Sequence, residues 1–362
     1  MSIRVESPSG RTALDSFARL PFEVYRNRTA WWPPDIHNEI ALIAGNGPLS
    51  AHLDLTPYAA YRDGHLVARI SAVVNHRYNS HWSEKIGQLI HFEALPDENE
   101  AVAALFEKAC EWLSEQGMTA CRSGFAAFLD YPYTIDNYDE LPSFLLRGNP
   151  PYYHQHFKNA GFITEKGQVD YTASLDAENL RSLSRLIEKA TANGAAIKSW
   201  REYGFARSVD SWADVTNAAF ASHWGWNPIS RAEVRAMMAS LVNTPVIDLS
   251  MVAVLDGEAV GTVFSVPDLT YPLARIRPGT LVPAHRGGGT RGALINIGVV
   301  EQARGRGFGS AMAARSFLTM ARTGMRYAGY TLVHDDNWAS RRTAESLGAR
   351  VSGNFVTYRR DF

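Results

Sequence analysis

Gly305, Gly307 and Gly309 stand at alternate positions in the stretch of this chain best suited to chemistry, Gln302–Ser310 (Q-A-R-G-R-G-F-G-S). Glycine lets a backbone turn through positive φ and approach a ligand closely. The stretch follows an apolar, strand-like run, Ala293–Val300, and opens a helix-like segment beginning at Phe308. A helix start presents unpaired N–H groups and the positive end of a dipole. Arg304 and Arg306 add cationic side chains, and Ser310 adds a hydroxyl to the first turn. Together these features predict a cradle for an anion such as a pyrophosphate. A P-loop would need a lysine after the glycines, and none follows. A dinucleotide site would read G-x-G-x-x-G directly after the strand, whereas these glycines read G-x-G-x-G and Glu301–Arg304 intervenes. A glycine-rich turn with no ligand is the plain structural alternative.

Groups able to move protons stand elsewhere. His223 opens an aromatic turn, H-W-G-W-N-P (His223–Pro228), and His334 ends a strand-like run, Arg326–Val333. Either histidine could accept a proton near neutral pH, or be an ordinary core or surface residue. Trp224 and Trp226 would wall an acceptor pocket or pack in a core. Tyr330 and Tyr358 lie in strand-like runs; each is a possible acid and a residue that strands favour anyway. Asn337 opens N-W-A-S-R-R-T-A-E-S-L-G (Asn337–Gly348), as a helix cap, a polar contact or both. His154 and His156, two apart on a predicted helix, face different ways and make a poor metal pair. Cys110 and Cys121 read as buried thiols rather than a disulfide or a metal pair. No metal site is expected.

The elements that must position these residues occur twice. Pro57–Tyr61 and Leu66–Val74 are strands around the turn R-D-G-H (Arg62–His65). Gly87–Leu95 is a strand, Glu98–Gln116 a helix and Met118–Ser123 a strand, followed by Asn149–Phe162. In the second half, strands Ile247–Leu255 and Ala259–Val266 flank L-D-G-E (Leu255–Glu258). Strand Ala293–Val300, helix Phe308–Ala321 and strand Arg326–Val333 follow, then Asn337. From Asp63 to Asn149 is 86 residues, and from Asp256 to Asn337 is 81. Helices are predicted at Asn179–Asn193, Asp210–Ala221 and Ser230–Leu241, the last with a capping box from Ser230 to Glu233. Where the second half has glycines, the first reads P-D-E-N-E (Pro96–Glu100), whose carboxylates would repel a pyrophosphate.

On the glycine loop, Asn337, Ser340 and Gly348, the region Val246–Phe362 resembles the GNAT acyltransferase superfamily. The whole chain is similar to bacterial tandem-GNAT proteins, through W-W-P-P (Trp31–Pro34), A-R-I-S-A-V-V-N (Ala68–Asn75), H-W-G-W-N-P and T-Y-R-R-D-F (Thr357–Phe362). The resemblance implies an α/β fold of two tandem GNAT-like domains, each a mixed, mostly antiparallel sheet flanked by helices. The expected division is a degenerate domain at 1–175, with a structural or substrate-cleft role, and an acyl-CoA-binding domain at 176–362. It also implies that Arg304–Ser310 hold the pyrophosphate of acyl-CoA, that the backbone at Val299 and Val300 pairs with the pantetheine arm, that Asn337 contacts the pantetheine or positions the thioester, and that Ser340 belongs to the same cofactor-binding set. Many relatives place an acidic tyrosine seven residues after the asparagine; here that residue is Ala344.

The expected activity is transfer of an acyl group, acetyl first among them, from acyl-CoA to the amine of a small molecule or peptide. Rival expectations are transfer from an acyl-carrier protein to an amine or hydroxyl, and an acyl-CoA-binding scaffold without catalysis. Formal net charge is −1, which gives no bulk electrostatic case for nucleic acid or membrane partners. No apolar run is long enough to span a membrane, and Met1–Gly10 lacks the apolar core of a signal peptide, so the expectation is a cytoplasmic protein. The segment Asp268–Gly292, with Arg275, Arg277, His285, Arg286 and Gly287–Gly289, reads as either a basic binding loop or a tolerated insertion.

Overall fold

The computed structural model describes residues 2–28, 30–126, 128–146, 148–192, 194–270 and 290–362. Arg275, Arg277, His285, Arg286 and Gly287–Gly289 therefore lie outside the described residues. The chain forms two compact units. The first holds the described residues up to Gly167 together with Phe355–Phe362; the second holds those from Gln168 to Asn354.

Strands β1 (Ile3–Glu6), β2 (Leu53–Arg62), β3 (His65–Asn75), β4 (Ile86–Ala94) and β5 (Ala120–Ser123) lie in that order in the first unit, with a short β6 (Tyr133–Thr134). Only β4 and β5 run parallel. Asp63 and Gly64, both at positive φ, close the β2–β3 hairpin as the D-G pair requires. Its helices are α1 (Arg11–Val24), α2 (Ile36–Ile43), α3 (His76–Trp82), α4 (Asn99–Glu115) and α5 (Tyr153–Asn159). One sheet face buries Ile70, Ala72, Val74 and Leu89 with Leu105, Phe106 and Leu113 of α4. The opposite face combines a small apolar cluster of Val73, Ile90 and Ala126 with buried ion pairs: Arg69 pairs with Glu39 and donates to the Phe17 carbonyl, and Arg122 pairs with Glu165 and the Tyr78 hydroxyl.

Strand β7 (Ile163–Ser174) reaches the second unit at Gln168. Strands β8 (Ala196–Ser199), β9 (Met251–Leu255), β10 (Glu258–Pro267), β11 (Arg291–Val299), β12 (Tyr327–His334) and β13 (Ala349–Asp361) follow in sequence. The sheet order is β8-β9-β10-β11-β12-β7, and again one inner pair, β11–β12, is parallel. The helices are α6 (Ala177–Ala192), α7 (Trp200–Tyr203), α8 (Phe205–Phe220), α9 (Arg231–Met238), α10 (Val246–Leu249), α11 (Phe308–Arg322) and α12 (Trp338–Ser346). Helix α11 lays Ala311, Ala314, Phe317 and Met320 on the core. The predicted strand Ile247–Leu255 starts later than expected, because Val246–Leu249 is one helical turn entered from Pro245. A short buried apolar run carries no period that separates a helical turn from a strand.

The two sheets share one plan, and the sixth place in each shows how the chain is used. In the second unit it is taken by β7, which follows the first unit's α5 in sequence. In the first it is taken by the end of the chain's last strand, with Tyr358 opposite Ser123 and Asp361 opposite Ala120 on β5. Tyr358 is thus a core residue of the first unit, 7% exposed. Its ring stacks on Phe157 at 4.5 Å and its hydroxyl bonds His154 Nδ1 at 2.5 Å. Burial pushes its pKa up to about 12.

Two outcomes follow for thermal melting. Tyr358→Ala should cost about 3–5 kcal/mol, the range for emptying a buried aromatic site, and Tyr358→Phe about 1 kcal/mol for the lost hydrogen bond; unchanged melting in Tyr358→Ala would contradict this packing. Burial also lowers the pKa of His154 and His156. Below about pH 6.5, the free histidine value, the unfolded chain takes up protons that the folded one resists. Stability should therefore be full above that pH and fall as pH drops, with a shallower fall in His156→Gln.

Candidate active site

The site begins where two strands part. Strands β11 and β12 pair only from Arg291–Tyr327 to Leu294–Tyr330. In β12, Leu332 has φ +57°, uncommon for a residue with a side chain, and the ladder to β7 shifts between Tyr330 and Val333. Beyond Leu294 the ladder to β12 has ended, and Ile295, Asn296 and Ile297 are half-buried although β11 is an inner strand. This leaves a groove along the open side of β11.

The glycine loop closes one end of that strand. Val300 donates its N–H to the Val260 carbonyl, and Glu301–Ala303 make a single 3₁₀ turn. Gly305 and Gly307 have φ of +76° and +80°, and a Cβ on either would meet nothing within 4 Å. They are there for their backbone conformation and face open space. Gly307 caps α11 without a side-chain hydrogen bond, so no cap side chain occupies the first-turn N–H groups of Phe308, Gly309 and Ser310. Gly309 lies against Ile297 and Val299; a Cβ there would be 3.6 and 3.7 Å from them. An open loop, bare amides and a helix N-terminus fit a pyrophosphate. The Arg306 guanidinium lies over the Phe308 ring at 5.0 Å.

Arg304 points elsewhere. Its Nε donates to the Val299 carbonyl at 3.2 Å and its Nη2 to the Ala219 carbonyl at 2.9 Å. Ala219 lies in the last turn of α8, where a cation meets the negative end of the dipole. Arg304 therefore ties the loop and the end of β11 to α8.

Four residues after Ala219 comes His223. Its N–H bonds the Phe220 carbonyl at 2.8 Å, and the Trp226 N–H bonds the His223 carbonyl at 3.0 Å. Asn217 holds the far side of the turn through two bonds to Ile229, of 2.7 and 3.1 Å, and the expected capping box of Ser230 and Glu233 starts α9. The His223 ring stacks on His334 at 4.5 Å and 28°. Trp224 meets His334 edge-on at 5.2 Å. His223 Nε2 is 3.5 Å from Asn337 Nδ2, while Asn337 Oδ1 accepts the Ser340 N–H at 3.1 Å. Asn337 thus caps α12 and touches His223 at once. The Tyr330 hydroxyl bonds Ser340 Oγ at 2.9 Å, and burial pushes its pKa up to about 12.

The fold therefore gathers His223, His334, Trp224, Asn337, Ser340 and Tyr330, with Trp226 packed on Phe220 at 5.3 Å. Tyr358 belongs to the first unit, and Ala344 is buried in α12. Sequence reasoning missed Phe220, which touches both His223 and Trp226. Helical spacing alone makes it one more apolar residue of α8. Among the described residues no cluster of His, Cys, Asp or Glu is arranged to hold a metal ion.

Known proteins resemble this chain in sequence and in fold. Residues 212–349 match the model of the Acetyltransferase (GNAT) family. A bacterial ceramide synthase of Caulobacter vibrioides is 23% identical over 286 residues, covering 78% of this chain and 73% of that one. Two solved structures align over 99% of the chain. One is a GCN5-related glucosamine N-acetyltransferase region of a fungal multi-domain β-N-acetylglucosaminidase, with TM-score 0.60 and 14% identity; this chain spans 38% of its length. The other is a tandem GNAT protein from the clavulanic acid biosynthesis pathway, with TM-score 0.59 and 11% identity, of which 98% is covered. Residues 212–349 thus carry the match to the GNAT family, and the chain as a whole has the tandem GNAT fold. Its class of chemistry is acyl transfer.

The loop geometry makes two variants informative. Gly307→Asp should abolish CoA binding in calorimetry, since open space admits the side chain while its charge repels phosphate, and should cost about 1–2 kcal/mol of stability because a side chain is strained at positive φ. Arg304→Ala should weaken CoA binding about tenfold, equivalent to about 1.4 kcal/mol, and to the same extent at low and high salt. An effect that vanishes in high salt would mean that Arg304 touches phosphate directly.

Proposed function

We propose that the second unit transfers an acyl group from acyl-CoA directly to an amine. The observation that carries this is the His223–His334–Asn337 cluster at the end of β12, where β11 and β12 have parted. The bare amides of Phe308–Ser310, with Gly305, Arg306 and Gly307, would hold the pyrophosphate. The backbone at Val299 and Val300 would lie along the pantetheine arm. His223, half-exposed, is the base; His334, 4% exposed, lies behind it and keeps its ring in place.

The amine loses a proton to His223, and its lone pair attacks the thioester carbon. Backbone N–H groups stabilise the oxyanion as it develops. The tetrahedral intermediate collapses, the C–S bond breaks and the thiolate leaves, taking its proton from water. With Tyr330 and Tyr358 both buried and hydrogen-bonded within their units, no tyrosine acid is assigned. A thiolate is a good leaving group, so this reading needs none.

The first unit is proposed to bind no CoA. In place of the glycine loop, Arg62 holds Glu98 at 2.8 Å and Glu100 at 3.5 Å, beside the start of α4. The unit's own carboxylates thus stand beside a helix N-terminus that would otherwise attract an anion. A second reading, a long-chain amine acceptor, is supported by the Caulobacter relative, since a ceramide is the amide of a long-chain amine.

Thiol release with acyl-CoAs of graded length and a panel of amines tests the proposal. His223→Ala should lower kcat by about 10²–10⁴-fold, the usual worth of general base catalysis, and leave CoA affinity unchanged. Calorimetry should find one CoA site per chain. Full activity in His223→Ala would remove the base from the mechanism.

A further inference from the structure

Asn337 is pinned from three sides at the end of β12. Its N–H donates to the His334 carbonyl at 2.9 Å, and its carbonyl accepts the Arg341 N–H at 3.0 Å. Its Oδ1 accepts the Ser340 N–H at 3.1 Å, as the cap of α12. A backbone N–H can only donate, so the side-chain atom facing it is the oxygen. The Asn337 amide therefore cannot turn round. The atom it presents to His223 Nε2, 3.5 Å away, is Nδ2, which donates and does not accept. The His223 ring is confined in turn, stacked on His334 at 4.5 Å and met by Phe220 at 5.1 Å and 65°.

A donor aimed at one imidazole nitrogen sets the proton on the other. Facing Asn337, Nε2 must carry the lone pair, and the proton of neutral His223 sits on Nδ1. The positive end of α12 lies on the same side and opposes an imidazolium there. We infer that Asn337 is a positioning residue that holds His223 as its Nδ1–H tautomer, so that Nε2 is the atom that takes the proton of the acceptor amine. The inference rests on the acyl-transfer reading for the amine and deepens it, since the amine must then lie on the Asn337 side of the ring, at the start of α12. At 3.5 Å the contact is long for a hydrogen bond, so the lone pair stays open to the amine. As an N–H bond of the amine breaks, its proton goes to Nε2 and its electron pair to the thioester carbon. Nε2–H then opposes the Asn337 N–H, donor against donor, which drives the proton on to water and restores the base.

The titratable and charged groups on the elements around the ring are His334 on β12, Asp335 and Asp336 in the turn before α12, Arg341 on α12, and Arg304 where it meets the end of α8. All of them stay in place in the variants that test the inference, so differences between variants report on Asn337. The full chain, carrying isotope-labelled histidine, is read by long-range proton–nitrogen NMR, which separates a protonated ring nitrogen from a bare one. The His223 signals are those lost in His223→Gln. With the ring neutral, Nδ1 should be protonated and Nε2 bare. Asn337→Asp caps α12 equally well but turns an acceptor to Nε2. It should reverse the tautomer and raise the midpoint of the His223 titration by about one pH unit or more, the scale of an opposite charge at contact distance. Asn337→Ser also caps α12 but is too short to reach the ring, and its midpoint should fall between the other two. Where an amine is turned over, the acid limb of kcat/KM should move with these midpoints. A residue that served only as a cap would leave tautomer and midpoint unchanged in both variants. That result, or a wild-type ring protonated on Nε2, would overturn the inference and leave the acyl-transfer reading intact. The expected spectra without thiol release from any acyl-CoA and amine would leave the hold of Asn337 on the ring standing and sink the acyl-transfer reading.

Discussion

The second unit depends on one interruption: parallel pairing between β11 and β12 stops at Leu294 and Tyr330. A strand inside a sheet normally satisfies its backbone on both sides. Here β12 turns away through Leu332 at positive φ, and β11 continues with one side open. Conformations of that kind cost free energy and persist where surrounding structure enforces them, commonly at functional sites. The opened edge offers a bound molecule the hydrogen bonds that a neighbouring strand would have made. It also sets where everything else must stand. The glycine loop takes the end of β11, Asn337 takes the end of β12, and His223 is brought to both by the turn after α8.

What keeps the opening in register is a set of polar ties from carbonyls and caps rather than a deep apolar core. Arg304 joins the end of β11 to the end of α8. Asn217 and the Ser230 capping box fix the turn that follows. Tyr330 and Ser340 fix the start of α12. Each tie is worth only about 0.5–1.5 kcal/mol, more where a charged group takes part. They act where position matters more than total stability, because catalytic geometry tolerates little displacement.

Much of this was legible in the sequence, and what was not has a common cause. The glycine loop, the D-G hairpins, the Asn337 cap and the Ser230–Glu233 box are local, and local chemistry fixes them within a few residues. The repeat was legible because both halves preserve element order. Arg304 shows the limit: its neighbours suggest phosphate, while in the structure it bonds the Val299 carbonyl nearby and the Ala219 carbonyl 85 residues away. The stacking of His223 on His334 likewise depends on a contact between distant segments. So does the placement of Tyr358 in the first unit, since a strand's propensity does not say which sheet will take it. The strand read from Ile247 failed for a different reason, because a four-residue helical turn has no period to detect.

The contrast between the two units argues that the fold and the function are separable here. Among the described residues both have a main path of six strands with one inner parallel pair, and in both a long helix follows the fourth strand of that path. In the first unit that helix begins beside Glu98 and Glu100, with Arg62 bound to them, and the sheet face away from α4 carries the buried pairs Arg69–Glu39 and Arg122–Glu165. In the second it begins at bare glycine amides. The same architecture thus has carboxylates beside this helix start in one copy and open glycines in the other. The conserved plan supplies a sheet that can open; which molecule fills it depends on a few side chains that could be exchanged without disturbing the strands.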